Sequence, residues 1–376
     1  MSAVPVIAAP HVHAGTSVRR SMILVMIALV PATAWGITQY GWPALNLLLM
    51  TIGAAVAAEA FSLKAANQTV RPVLQDGSAL LTGWLLALTL PPWAPWWLGV
   101  FGAVFAIVVS KQVFGGLGQN LFNPAMVGRV VLLVAFPLEM TTWVAPHVLF
   151  QPASPSFAES LRITFLEAVN TDAITGATAL GHESGQPTAS EAQNEATSEG
   201  FDVRASLLGE QYGSFGEGSA PLLASGGLLL LLTGVIRWPI PVAMVGSLAF
   251  VATLFHVLEP ARYADAGFHL LSGGLVLGAF FIATDPVTSP VTRPGQLVFG
   301  AGCGLLTYTI RTWGGYPEGV AFAVLLMNAA TPIIDYYIHP RVFGRTLSGI
   351  SLKLPDEKPA ATVKPWSARA PKGNQQ

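Results

Sequence analysis

Two apolar stretches decide how the chain is read: LLTGWLLALTLPP, from Leu80 to Pro92, and LLSGGLVLGAFFIATDP, from Leu270 to Pro286. Each opens on Leu-Leu, a hydroxyl residue and Gly, and each closes on a hydroxyl residue, one further residue and Pro. Runs this oily, cut by Gly and Pro, fit membrane helices that break partway across the bilayer. Freed backbone groups are tolerated at that depth only where protein or a cavity satisfies them. The surrounding chain agrees: 52% of its 376 residues are hydrophobic, mean hydropathy is +0.55, and only 10% are charged, against about 25% in a typical soluble domain. The chain reads as an all-α polytopic membrane protein.

Hydropathy places ten transmembrane helices, at about 22–40, 43–62, 78–92, 94–112, 125–143, 220–236, 239–258, 268–285, 294–313 and 319–338. The two quoted stretches are the third and eighth, each the third span of a five-span half. An odd number of spans per half gives the halves opposite orientations. The expected architecture is therefore two inverted five-helix repeats with a long outside loop. The competing reading is that both stretches are ordinary helix ends leaving the membrane. In segments, the expectation is a leader at 1–20, a first repeat at 21–143, a loop at 144–219, a second repeat at 220–338 and a basic tail at 339–376.

Charge sets the expected orientation. Arg19, Arg20, Lys64, Arg71, Lys111, Arg129, Arg237, Arg293, Arg341 and Arg345 fall on the side of the N-terminus, whereas residues 141–220 hold ten acidic residues and two basic ones, Arg162 and Arg204. By the positive-inside rule both termini are cytoplasmic and the long loop is outside. No cleavable signal peptide is evident in residues 1–20. A net charge of −1 gives no reason to expect a nucleic-acid partner, and the single cysteine, Cys303, excludes an intrachain disulfide and a cysteine-held metal centre. Within the loop, 181–200 reads as mobile. Residues 157–169 read as an amphipathic helix with Phe157, Leu161, Phe165 and Val169 on one face.

Three places carry candidate chemistry. The loop contains NTDAITGATAL, Asn170 to Leu180, where Gly176 and Ala177 put no bulk before the hydroxyl of Thr178. Such a turn suits presentation of a hydroxyl to a bulky phosphorylated group, although T-G-A-T alone is also an ordinary turn. The segment GGLGQNLFNPAMVGR, Gly115 to Arg129, is polar yet flanked by apolar spans. Asn120 and Asn123 offer donors and acceptors suited to a heteroaromatic ring with imide edges; equally, they cap the fifth helix. Asp285 lies near membrane depth, where an ionisable group is costly and a functional candidate, here for an ion pathway, or else a cap before Pro286. Glu59 and Asp335, each near a span end, are accounted for by snorkelling or pairing.

These residues carry a resemblance. APHVHAG and SVRRSMILVMIALVPA in the first 32 residues, DGSALLTGWLLALTLPP, FNPAMVGRVVLLVAFP, DAITGATAL, FFIATDPVTSP and GGYPEGVAFAVLLMNAATPIID resemble the RnfD family, membrane proteins of Rnf electron-transport complexes. That family is related to NqrB of the sodium-pumping NADH:quinone reductase. The likeness runs from the leader to about Arg345. It implies FMN joined through its phosphate to Thr178, with Asp172, Thr175, Gly176 and Ala177 completing a D-x-x-[ST]-G-A-T motif. Attachment is by a separate flavin transferase outside the cytoplasmic membrane. It also implies a noncovalent riboflavin in the membrane part, for which Asn120 and Asn123 are the candidate contacts. Partners would be the other Rnf subunits, membrane and soluble, including a second FMN-bearing subunit and iron–sulfur subunits. The expected function is a flavin-carrying, ion-translocating oxidoreductase subunit of the bacterial inner membrane, coupled to Na⁺ or H⁺, with no complete site for NADH or ferredoxin oxidation in this chain. The alternative is a channel or solute transporter on the same scaffold, which leaves the D-x-x-T-G-A-T stretch without a purpose.

Overall fold

The computed structural model describes residues 17–151, 154–166, 175–176, 203, 207, 209, 212–314, 316 and 318–340. Residues through Ile338 form one unit; His339 and Pro340 begin a second, 339–376, whose remainder lies outside the described residues. The first unit is helical apart from one pair of two-residue strands.

Helix α1 (Val18–Ala65) starts where Ser17 Oγ accepts from Arg20 N at 3.2 Å, covering one of the four amides a helix start leaves open. It holds both of the first two expected spans. A break at Gly41 divides them, because Gly41 takes a positive φ of 75° that other residues resist, two positions before Pro43. After the short α2 (Val70–Leu74), α3 (Ser78–Leu88) and α4 (Trp96–Ile107) pack on α1. A π-helical turn, Val108–Gln112, extends α4. Helix α5 (Pro124–Ala135) opens with Asn123 as N-cap and Pro at its first position, then gives way to α6 (Pro137–Thr141).

Strand β1 (Trp143–Val144) follows, then α7 (Phe157–Leu166), the last expected positions of which, 167–169, lie outside the described residues. Ser156 and Glu159 exchange side-chain and backbone hydrogen bonds of 2.8 and 3.3 Å at its start, a capping box. The exposed carboxyl of Glu159 is held below the usual carboxylate range by its bonds to Ser156. The polar stripe of α7 packs inward: Ser160 and Thr164 are buried, Asn46 donates to Ser160 Oγ at 3.1 Å, and Phe157, Leu161 and Phe165 are exposed. In a bilayer setting the apolar face needs no protein cover, so the polar stripe takes the helix partner. Phe157 and Phe165 instead meet Trp42 and Trp96, with ring centroids 5.6 and 6.1 Å apart. Val169 and the 181–200 segment lie outside the described residues.

Strand β2 (Thr175–Gly176) pairs antiparallel with β1. Helix α8 (Ala220–Leu232) lies against α1 so closely that a Cβ on Gly226 would strike the Ala28 carbonyl. Next come α9 (Pro239–Leu258) and the eighth expected span. That span is broken into α10 (Ala266–Leu271), the one-turn α11 (Leu275–Leu277) and a second π-helical turn, Gly278–Ile282. Helix α12 (Arg293–Trp313), capped by Thr292, packs on α9, and α13 (Val320–Tyr337) closes the chain of helices against α12 and α5. By length and composition α1, α9 and α13 suffice to cross a membrane, with shorter apolar helices at α3, α4 with its π turn, α5 and α8.

Candidate functional site

Helix starts and ends of both parts of the chain surround one cavity of about 290 Å³. Its walls are the starts of α1 (Ser21) and α3 (Ser78), the first π turn (Lys111), the polar loop with Asn120 and Asn123, the end of α8 (Leu230), and the second π turn with the residues after it (Phe280, Asp285). All of these are the same end of the helix bundle. Both π turns open onto the cavity, and such turns are rare and frequent at functional sites because each leaves a gap in the α-helical bonding. Asn120, Asn123 and Asp285, far apart in sequence, are thus brought to one place.

Their hydrogen bonds show that the structural readings hold as well. Asn123 Oδ1 accepts from Ala125 N at 3.1 Å and Met126 N at 3.4 Å, and its Nδ2 reaches Ile282 O at 3.4 Å across to the second π turn. Asn120 Nδ2 donates to Phe122 O at 3.0 Å. Asp285 accepts from Val287 N at 3.1 Å and the Thr288 hydroxyl at 3.3 Å, closing the turn into Pro286. Asn328 on α13, oriented to satisfy both ends of its amide, accepts from Asn123 N at 3.1 Å and donates to Thr288 O at 3.2 Å. The two polar loops are therefore tied to each other and to α13. Cap and cavity wall are the same residues.

Two cations near the ends of expected spans, Lys111 in the fourth and Arg129 in the fifth, are buried and partnered. Lys111, 1% exposed, donates to Glu59 Oε1 at 2.5 Å and to Ser78 Oγ at 2.7 Å, and Gln112 Nε2 adds a bond to the same carboxylate at 2.8 Å. Glu59 is thus paired, as one of its two readings required, whereas Asp335 accepts from Val291 N at 3.2 Å. Arg129 is buried beside Glu318, which precedes α13, and donates to Thr89 O at 2.6 Å at the end of α3. The reason for both pairings is the cost of desolvation: a cation at membrane depth takes a buried acceptor rather than remain alone. Arg311, on α12, donates to His269 O at 2.7 Å and Ser272 O at 3.0 Å, carbonyls freed by the break between α10 and α11. The signal for Lys111 was present in the sequence as a charge inside IVVSKQVFGG; nothing marked Glu59 as its partner, 52 positions away.

Of the D-x-x-T-G-A-T stretch, Thr175 and Gly176 form β2, with Thr175 opposite Val144 and Gly176 opposite Trp143. Trp143 and Val144 are themselves buried. Asp172, Ala177 and Thr178 lie outside the described residues. A family model described as the NQR2, RnfD, RnfE family matches residues 5–344. The chain is 54% identical over 353 residues to a Halorhodospira halophila protein named for the D subunit of an ion-translocating oxidoreductase complex, covering 94% of this chain and 99% of that one. Like-named proteins of Stutzerimonas stutzeri and Rhodobacter capsulatus are 51% and 49% identical over 89% and 81% of this chain, and 94% and 84% of their own lengths. The chain belongs to the NQR2, RnfD and RnfE family.

Proposed function

We propose that the chain is the flavin-carrying membrane subunit of an ion-translocating oxidoreductase complex, with FMN esterified to Thr178 and riboflavin held noncovalently in the cavity beside Asn120 and Asn123. The cavity is the observation that carries the membrane part of this reading. It lies at the small end of the roughly 300–1,000 Å³ range usual for cofactor sites, with apolar walls from α8 and the second π turn and amide groups on one side. Asn123 keeps a second Nδ2 hydrogen beyond its bond to Ile282, and Asn120 keeps its Oδ1, so the pair offers one donor and one acceptor to a ring edge. A bound flavin supplies one- and two-electron chemistry. The chain supplies position, exclusion of water and fixed charge. Asp285, held in the same wall, is assigned to the ion pathway.

Two inverted halves are supported by an exchange of contacts. The cap of α5 reaches the end of the second π turn through Asn123 and Ile282; the residue before α13, Glu318, reaches the end of α3 through Arg129 and Thr89. The fifth helix of the first half thus meets the third span of the second, and the start of the second half's fifth helix meets the fifth helix of the first. With both termini cytoplasmic, the cavity faces the cytoplasm, and β1–β2 holds the neck of the Thr178 motif at the outer end of the bundle. There a flavin transferase would reach it, and the partner subunits of the complex would supply electrons. The reading is tested by purifying the chain after expression with the transferase, recording flavin fluorescence on a denaturing gel, and separating the flavins released on unfolding. A fluorescent band and released riboflavin are expected; a flavin-free chain on both measures would return it to the channel class.

A further inference from the structure

The Lys111 ammonium has three N–H donors, and two are accounted for, by Glu59 Oε1 and Ser78 Oγ. No acceptor for the third is found among the described residues. Lys111 and Ser78 line the cavity, while Glu59 does not. The buried pair is therefore oriented, its cationic member turned to the cavity and its anionic member held behind. Glu59 is also over-supplied on one oxygen, taking both Lys111 and Gln112 on Oε1, while Oε2 has no hydrogen-bond partner among the described residues. The pair fixes the position of an ammonium at a cavity wall.

We propose that Lys111 is the electrostatic contact of the cavity's occupant. Its free N–H donates to an acceptor-rich edge of a heteroaromatic ring, and its charge favours the ring's reduced, more negative form, with Glu59 as the positioning residue. The proposal rests on the reading of the cavity as a flavin site. In the step concerned, one electron leaves a reduced redox centre of a partner protein in the complex and arrives on the ring, with no bond made or broken. The ring becomes one unit more negative. At hydrogen-bond distance and away from water, a fixed cation acts on that change far more strongly than it would in solvent.

The test uses the assembled complex, with riboflavin content measured after unfolding and the riboflavin potential measured by mediated titration. Glu59→Gln removes the counter-charge, leaves the ammonium in place, and is expected to raise the potential. The double variant Lys111→Gln/Glu59→Gln removes both charges while keeping groups able to hydrogen-bond, and is expected to lower it. A tenfold weaker preference for the reduced form corresponds to about 59 mV for a one-electron couple. Lys111→Arg should stay near the parent value. Shifts of opposite sign are not what a merely structural pair produces. If riboflavin is retained and neither variant moves the potential, the role of Lys111 is overturned while the cavity assignment stands. Should the double variant fail to assemble, Glu59→Gln decides alone, an unchanged potential being the contrary result. Leu81→Trp, which fills the cavity from α3, tests the underlying reading: a full riboflavin complement in that variant would overturn the cavity site and the role of Lys111 together.

Discussion

Among the described residues, two buried ion pairs look alike on paper and differ in what surrounds them. Arg129 and Glu318 join the α5 region to the start of α13, and the guanidinium also covers the Thr89 carbonyl at the end of α3. Lys111 and Glu59 lie within the first part of the chain, between the first π turn and α1, and the lysine faces a cavity. Arginine's planar fork suits the first place, where one side chain must serve a carboxylate and a carbonyl at once; a compact ammonium with a spare donor suits the second. What separates the two pairs is the cavity beside Lys111.

The largest effect expected from this contrast is at the clasp. Glu318→Ala strands a buried guanidinium and should cost about 3–5 kcal/mol, read as a drop in the detergent-solubilised melting temperature. Lys111→Ala should follow at about 3 kcal/mol, since it leaves the Glu59 carboxylate alone; the double Gln variant should recover most of that loss. Recovery in the double variant at the clasp but not at Lys111 would reverse the comparison. At the cavity wall, Asn123→Ala should cost about 1 kcal/mol as a lost helix cap and also release riboflavin while leaving covalent FMN in place. Asp265→Ala, which removes a comparable cap from α10 far from the cavity wall, should cost a similar about 1 kcal/mol with no riboflavin lost. Full retention of riboflavin in the Asn123 variant would reduce that residue to its cap. The smallest effect belongs to Glu259, whose pairing with Arg262 at 3.6 Å is on the surface. Glu259→Gln should change the melting free energy by less than about 0.5 kcal/mol.

Most of the helical layout was legible, because long apolar runs ended by Gly, Pro and Asn leave few other arrangements. The broken eighth span was visible in Ser272-Gly273-Gly274, and the polar loop in Asn120 and Asn123. The division of the first two spans was legible too, with the break at Gly41 falling between the expected ends at 40 and 43. The seating of α7 was not: hydrophobic periodicity marks the apolar face without saying whether lipid or protein lies against it, and here Ser160 and Thr164 point inward. Of the site, single residues could be picked out but not their pairings. Lys111 and Arg129 stand out as charges within expected spans, but their partners, Glu59 and Glu318, are brought from far along the chain. Thr178 is legible only through its motif.

The central claim is therefore tested at Thr178 itself, through intact-mass measurement with peptide mapping of the chain expressed with a flavin transferase. The account predicts an FMN-sized increment on the peptide containing Thr178, lost in Thr178→Ala, with membrane insertion and released riboflavin unchanged. An increment that survives Thr178→Ala, or that maps to another peptide, would contradict it.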